Sequence, residues 1–60
     1  MNEDEEASMA QQLVSAVEKG FPNDKAMQIR QLALRAQQAP IAFTGVFLRA
    51  LQAVCEDIRL

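Results

Sequence analysis

The stretch from Pro40 to Leu60, PIAFTGVFLRALQAVCEDIRL, holds 13 hydrophobic residues against four charges, Arg49, Glu56, Asp57 and Arg59. Phe43, Phe47, Ala50, Leu51, Val54 and Ile58 recur at three- and four-residue spacing, the period of one helix face. Ile41, Leu48 and Cys55 widen that face on one flank, while Arg49, Gln52 and Glu56 mark the wet side. Such an arc is too wide for a chain of 60 residues to cover alone, because a domain of that size buries only about 60% of its unfolded surface. The excess predicts a partner.

Two punctuation points divide the rest of the chain. In Lys19-Gly20-Phe21-Pro22-Asn23, Gly20 suits a left-handed residue after a helix, Phe21 can fold back on the last turn, and Pro22 prevents continuation. Asn23 or Asp24 can cap the next helix. The second point, Gln37-Gln38-Ala39-Pro40, is weaker, since Pro40 suits a first helical turn but Ala39 is a poor cap. A break or a sharp kink is expected there. No strand-like alternation, repeat or low-complexity linker stands between these points.

The fold class read from this pattern is all-α, with helices over residues 5–19, 24–38 and 40–58. The chain is expected to be one small domain over residues 1–60, a helical hairpin or three-helix chain that completes its core by dimerising into a bundle. Residues 1–6 are expected to fray as an acidic N-terminus. In the first helix, Met9, Ala10, Leu13, Val14, Ala16 and Val17 form one apolar face, with Gln11, Gln12, Ser15 and Glu18 largely opposite. The second helix carries two stripes, one of Ala26, Ile29, Leu32, Ala33 and Ala36 and another of Met27 and Leu34, with Arg30 and Gln37 between them. Two stripes predict a helix contacted from two sides.

Composition narrows how so short a chain can be stabilised. Cys55 is the only cysteine and there is no histidine, so an internal disulfide is impossible and no metal site or cofactor is expected. Association remains as the staple. Half of the residues are hydrophobic, which argues against disorder. A lone cysteine, no basic segment after Met1 and no apolar run near the ~20 residues that span a bilayer suit a cytoplasmic protein without a membrane segment. Net charge is −2, and four of the eight acids are Glu3, Asp4, Glu5 and Glu6. That tetrad reads as a solvated helix start, where acids oppose the partial positive charge of the amino end. Its functional alternative is a lure for a basic partner.

Catalytic chemistry has little material. Histidine, tyrosine and tryptophan are absent, the hydroxyls are Ser8, Ser15 and Thr44, and neither Gly20 nor Gly45 lies in a phosphate-cradling pattern. Cys55 reads as a small apolar seam residue, and Glu56 and Asp57 diverge by about 100° on a helix. The chain is expected not to be an enzyme.

Nucleic-acid binding is the alternative class. Leu32, Ala33 and Ala36, a short turn, Pro40, then Phe43 and Val46 resemble a helix-turn-helix. Gln37 stands where the turn glycine belongs, and the outward positions Ile41, Thr44, Gly45 and Leu48 offer little to base edges. An RNA-binding bundle would use Lys25, Arg30 and Arg35 with Gln28, Gln31 and Gln38 on the outside. Phe47, Leu51, Val54 and Ile58 also resemble the spacing of a BH3-type helix, although the usual Asp directly after the small residue Cys55 is replaced by Glu56. The favoured reading is a non-enzymatic protein–protein interaction module, a small homodimeric regulator, inhibitor or adaptor. Met27, Leu34, Ile41, Leu48 and Cys55 are its expected dimer or partner interface, and Arg30, Arg35 and Arg49 are the charges expected to select another protein.

Overall fold

The computed structural model describes residues 2–56 and contains, among them, three α-helices and no strand. Helix α1, Glu3–Gly20, starts on Asn2, whose Oδ1 accepts the Glu5 N–H at 2.8 Å. Glu3, Asp4, Glu5 and Glu6 occupy its first turn, where they oppose the exposed amide dipoles. The segment expected to fray is thus helical from Glu3, because Asn2 supplies a cap and the acids suit that end of the helix.

The chain reverses at Phe21 to Asp24. The Phe21 N–H still donates to the Val17 carbonyl at 2.9 Å, and the Asp24 N–H donates to the Phe21 carbonyl at 3.3 Å. Pro22 and Asn23 lie between, and Asn23 has φ 63°, which is the residue pattern of a type II turn. Gly20 therefore does not take the left-handed conformation expected of it, since the helix runs through it and the positive φ falls on Asn23. Alanine at position 23 is expected to lower stability by about 1 kcal/mol, whereas Asn23→Gly should be tolerated. A urea midpoint that shifts without a change in slope would report this.

Helix α2, Lys25–Gln38, is capped by Asp24, whose Oδ1 accepts the Met27 N–H at 3.1 Å. It ends at Ala39, whose φ −86° and ψ 149° are extended, as a residue before proline prefers. Pro40 then opens a short 3₁₀ turn, Ile41–Phe43, and helix α3 spans Thr44–Glu56. The Thr44 Oγ1 donates to the Ile41 carbonyl at 2.7 Å, which helps to join the turn to the helix. The corner at Pro40 is a break rather than a kink. The expected continuation of α3 to residue 58, with Ile58, lies outside the described residues.

Glu6 lies against Gly45 and Arg49, and Val14 lines the same groove as Ala53. Helices α1 and α3 therefore run in the same direction, with α2 returning between the two reversals. The longest dimension is 30 Å, close to the roughly 27 Å length of α1 at 1.5 Å per residue, so the helices pack side by side as a three-helix bundle.

Ala10, Val17, Leu32, Val46, Ala50 and Val54 form the buried core, with Met9, Leu13, Val14, Ile29, Phe43, Phe47 and Leu51 packed partly buried around it. Ala10 and Ala50 are small enough to let α1 and α3 approach closely, and that pair is the most extensively packed. Ala16, Ala26 and Ala33, placed on apolar stripes by periodicity, are exposed, whereas Gln28, assigned to the outside, is 2% exposed. Ala16 lies at the edge of α1's arc, about 110° from Ala10 and Val17, whereas the differences on α2 reflect how α2 and α3 are turned. At about 100° per residue, the buried centre of α3 (Val46, Ala50, Val54) is turned about 50° from the middle of its apolar arc. That of α2 (Gln28, Leu32) is turned by about 80° from the middle of its larger stripe.

Candidate functional site: an uncharged groove at the α2–α3 corner

Because α2 and α3 bury a direction offset from their apolar arcs, the unused flanks of both arcs meet at the surface. Ala36 and Gln37 from α2, Ala39, Pro40 and Ile41 from the corner, and Thr44, Phe47, Leu48 and Leu51 line one groove. None of these side chains carries a charge. Ile41 is 91% exposed and Leu48 is 56% exposed, so the largest apolar groups on the groove's rim face water. Isolated exposed leucines are ordinary on a protein surface. An isoleucine this bare, beside a half-buried phenylalanine and leucine in one concavity, is a continuous apolar feature.

The structure brings together two of the five residues expected at an interface. Ile41 and Leu48 share the groove, whereas Met27, Leu34 and Cys55 do not line it. Leu34 is 43% exposed on the outer side of α2, about 140° around the helix from the buried centre. Met27 is half-buried and Cys55 is exposed two turns beyond Leu48. Ala36, Pro40, Thr44, Phe47 and Leu51 were not singled out as interface residues from sequence. The spacing of Phe47 and Leu51 signals burial, and only the rotation of α3 shows that part of their surface is left open.

The three expected selecting arginines differ in their surroundings. Arg30 and Arg35 are exposed on α2. Arg35 also lines a second groove, with Met9, Gln12, Leu13 and Ala16 of α1 and Phe43, Val46 and Phe47 beyond the corner. Ala39, Pro40 and Phe47 are common to both grooves. Arg49 is engaged within the chain, its Nε 3.7 Å from Glu6 Oε1. Glu6 also fills the space where a Cβ on Gly45 would stand, so its carboxylate rests on the first turn of α3, where a negative charge is favoured. One member of the acidic tetrad is thereby a bridge between helices. A second pair, Lys25 Nζ to Glu18 Oε2 at 4.0 Å, spans the α1–α2 reversal at the surface, where such pairs contribute about 0–1 kcal/mol.

Gln28 is the one polar side chain in the core among the described residues. Its Nε2 donates to the Phe21 carbonyl at 2.8 Å, tying α2 to the preceding reversal. Its Oε1 has no hydrogen-bond partner. No helix among the described residues is long and apolar enough to cross a membrane, and the described residues contain no cluster of His, Cys, Asp or Glu suited to a metal ion. No protein-family model, curated protein sequence or solved structure matches the chain.

Proposed function

We propose that the chain is a non-enzymatic, cytoplasmic protein–protein interaction module, a small homodimeric regulator, inhibitor or adaptor that binds another protein. The observation that carries this reading is the uncharged groove rimmed by Ile41 and Leu48. Burying a large aliphatic side chain stabilises by about 1.5–3 kcal/mol, a large share of the roughly 3–5 kcal/mol a core this small supplies. Self-association through the groove leaves Arg30 and Leu34 on the outer side of α2 free to meet a target, with Arg35 exposed in the adjoining groove. Charges so placed govern encounter rate and choice of partner more than affinity. Arg49, held by Glu6, contributes less to that choice than the two α2 arginines.

The reading is tested with two substitutions at exposed sites, which spare the core. Leu48→Asp is expected to weaken self-association at least ~30-fold, as for a central interface residue, with the helical signal retained. Arg35→Glu is expected to keep both fold and self-association and to lose the protein that copurifies with the unmodified chain. Full retention of both properties by both variants would show the surfaces to be misassigned, and nucleic acid in place of a copurifying protein would contradict the class.

A further inference from the structure

We infer that the groove beside Arg35 takes an acidic amphipathic helix of a partner protein, which seats large apolar side chains between α1 and the start of α3 and sets a carboxylate on the Arg35 guanidinium. This rests on the interaction-module reading above and names where the target docks and what it presents. Helix α1 contributes Met9 and Leu13, one turn apart, and the chain after the corner contributes Phe43 and Phe47, also one turn apart. All four pack against the core yet are only half-buried, so their outer surfaces open into one concavity. Walls with this spacing accept side chains of the same spacing, as when a helix lies in a groove. Met9 adds adaptability, since an unbranched thioether reshapes to its neighbour.

Arg35 decides the charge of the occupant. Among the described residues it is the one charged group lining this groove, it is exposed, and it has no ion pair, whereas Lys25 faces Glu18 and Arg49 faces Glu6. The groove is therefore a cationic site on a chain of net charge −2. A guanidinium grips a carboxylate through two parallel hydrogen bonds, which strengthen beside apolar walls. A second copy is disfavoured here, because a two-fold contact over this groove would bring two Arg35 side chains together. Its volume, about 390 Å³, lies at the small end of the roughly 300–1,000 Å³ that ligand pockets span. It thus admits side chains from one face of a helix rather than the helix itself.

Selection from a display library of helical peptides about three turns long, on the immobilised full chain, tests the site. Enriched peptides are expected to carry two large apolar residues at i, i+3 or i+4 spacing, with Asp or Glu within a turn of them. Their affinity, read by fluorescence anisotropy, is expected to fall at least about tenfold on Arg35→Glu and to recover when the peptide's acid is changed to Lys. Ala16→Arg, at an exposed position in the lining, is expected to weaken binding by a similar factor. It adds a cation while narrowing the groove, so tighter binding to this variant would show attraction by charge alone and overturn the inference. Enriched peptides without an acid, no enrichment, or binding indifferent to both substitutions would overturn it as well. Lower self-association of Ala16→Arg would assign the groove to a second copy, and dodecanoate held there in place of any peptide would assign it to a lipid; either result sinks the inference. Peptides that respond to Leu48→Asp and not to Arg35→Glu would place docking at the corner groove, which removes this site and leaves the interaction-module reading standing. That broader reading fails separately, if nucleic acid copurifies in place of a protein.

Discussion

Leu32→Ala is expected to leave the chain largely unfolded at room temperature. Leu32 is 0% exposed and is the largest fully buried side chain, and every other member of the hydrophobic core is alanine or valine. Truncating a buried leucine removes its transfer free energy and leaves a cavity, together costing about 2–5 kcal/mol. A core of this size supplies only about 3–5 kcal/mol, so the loss consumes most or all of the margin. Circular dichroism at fixed protein concentration should show the helical signal lost, while Leu34→Ala, at a site 43% exposed, should melt nearly as the unmodified chain does. A cooperative melt of Leu32→Ala at the unmodified midpoint would contradict this packing.

Gln28→Glu is expected to make stability steeply dependent on pH, whereas Gln28→Met should leave it nearly unchanged. The site is 2% exposed, with the Phe21 carbonyl in reach of the side chain. A protonated carboxyl can donate to that carbonyl, but a carboxylate cannot, and its burial without a cation is costly. Folding therefore raises the carboxyl's pKa above its unfolded value of about 4.3. A raised pKa means that the variant keeps its full stability below about pH 4. It loses up to about 1.4 kcal/mol per unit as pH rises, until the folded carboxyl itself ionises. At neutral pH the cost reaches about 3–4 kcal/mol, enough to unfold the chain. Methionine removes the Nε2 hydrogen bond together with the orphaned Oε1, and the Phe21 carbonyl keeps the Asp24 N–H. Denaturation at acid and neutral pH separates the two variants. A Gln28→Glu chain equally stable at both would mean that position 28 is open to water.

The contrast between Leu32 and Gln28 shows what periodicity conveys and what it omits. The three helices, the reversal at Phe21-Pro22-Asn23 and the break at Pro40 follow from local chemistry that acts wherever those residues occur. The exposed side chains of Leu34, Ile41 and Leu48 were also legible, because they lie off the main apolar arcs. Which side of an arc turns inward was not, since it depends on how three helices share one small core. Helix α3 turns toward α1, whose Ala10 and Glu6 admit Ala50 and contact Arg49, and that rotation takes Phe47 and Leu51 off centre. Helix α2 turns correspondingly and carries Gln28 inside. Helix-by-helix reading has no term for such a compromise, nor for Glu6 reaching across to Gly45. At Gly20 the reading failed more locally: helical hydrogen bonding persists through Phe21, so the residue that must take positive φ is the later Asn23.

The offset between buried centres and apolar arcs gives the groove its origin. Both helices leave apolar flank uncovered on the same side of the corner, where a second copy is the proposed cover. Sedimentation equilibrium of the unmodified chain at micromolar concentration measures this most directly. A folded species of twice the 6.7 kDa chain mass, returning to monomer on dilution or on Leu48→Asp substitution, is the result expected. A well-folded species of single chain mass throughout that range would contradict it.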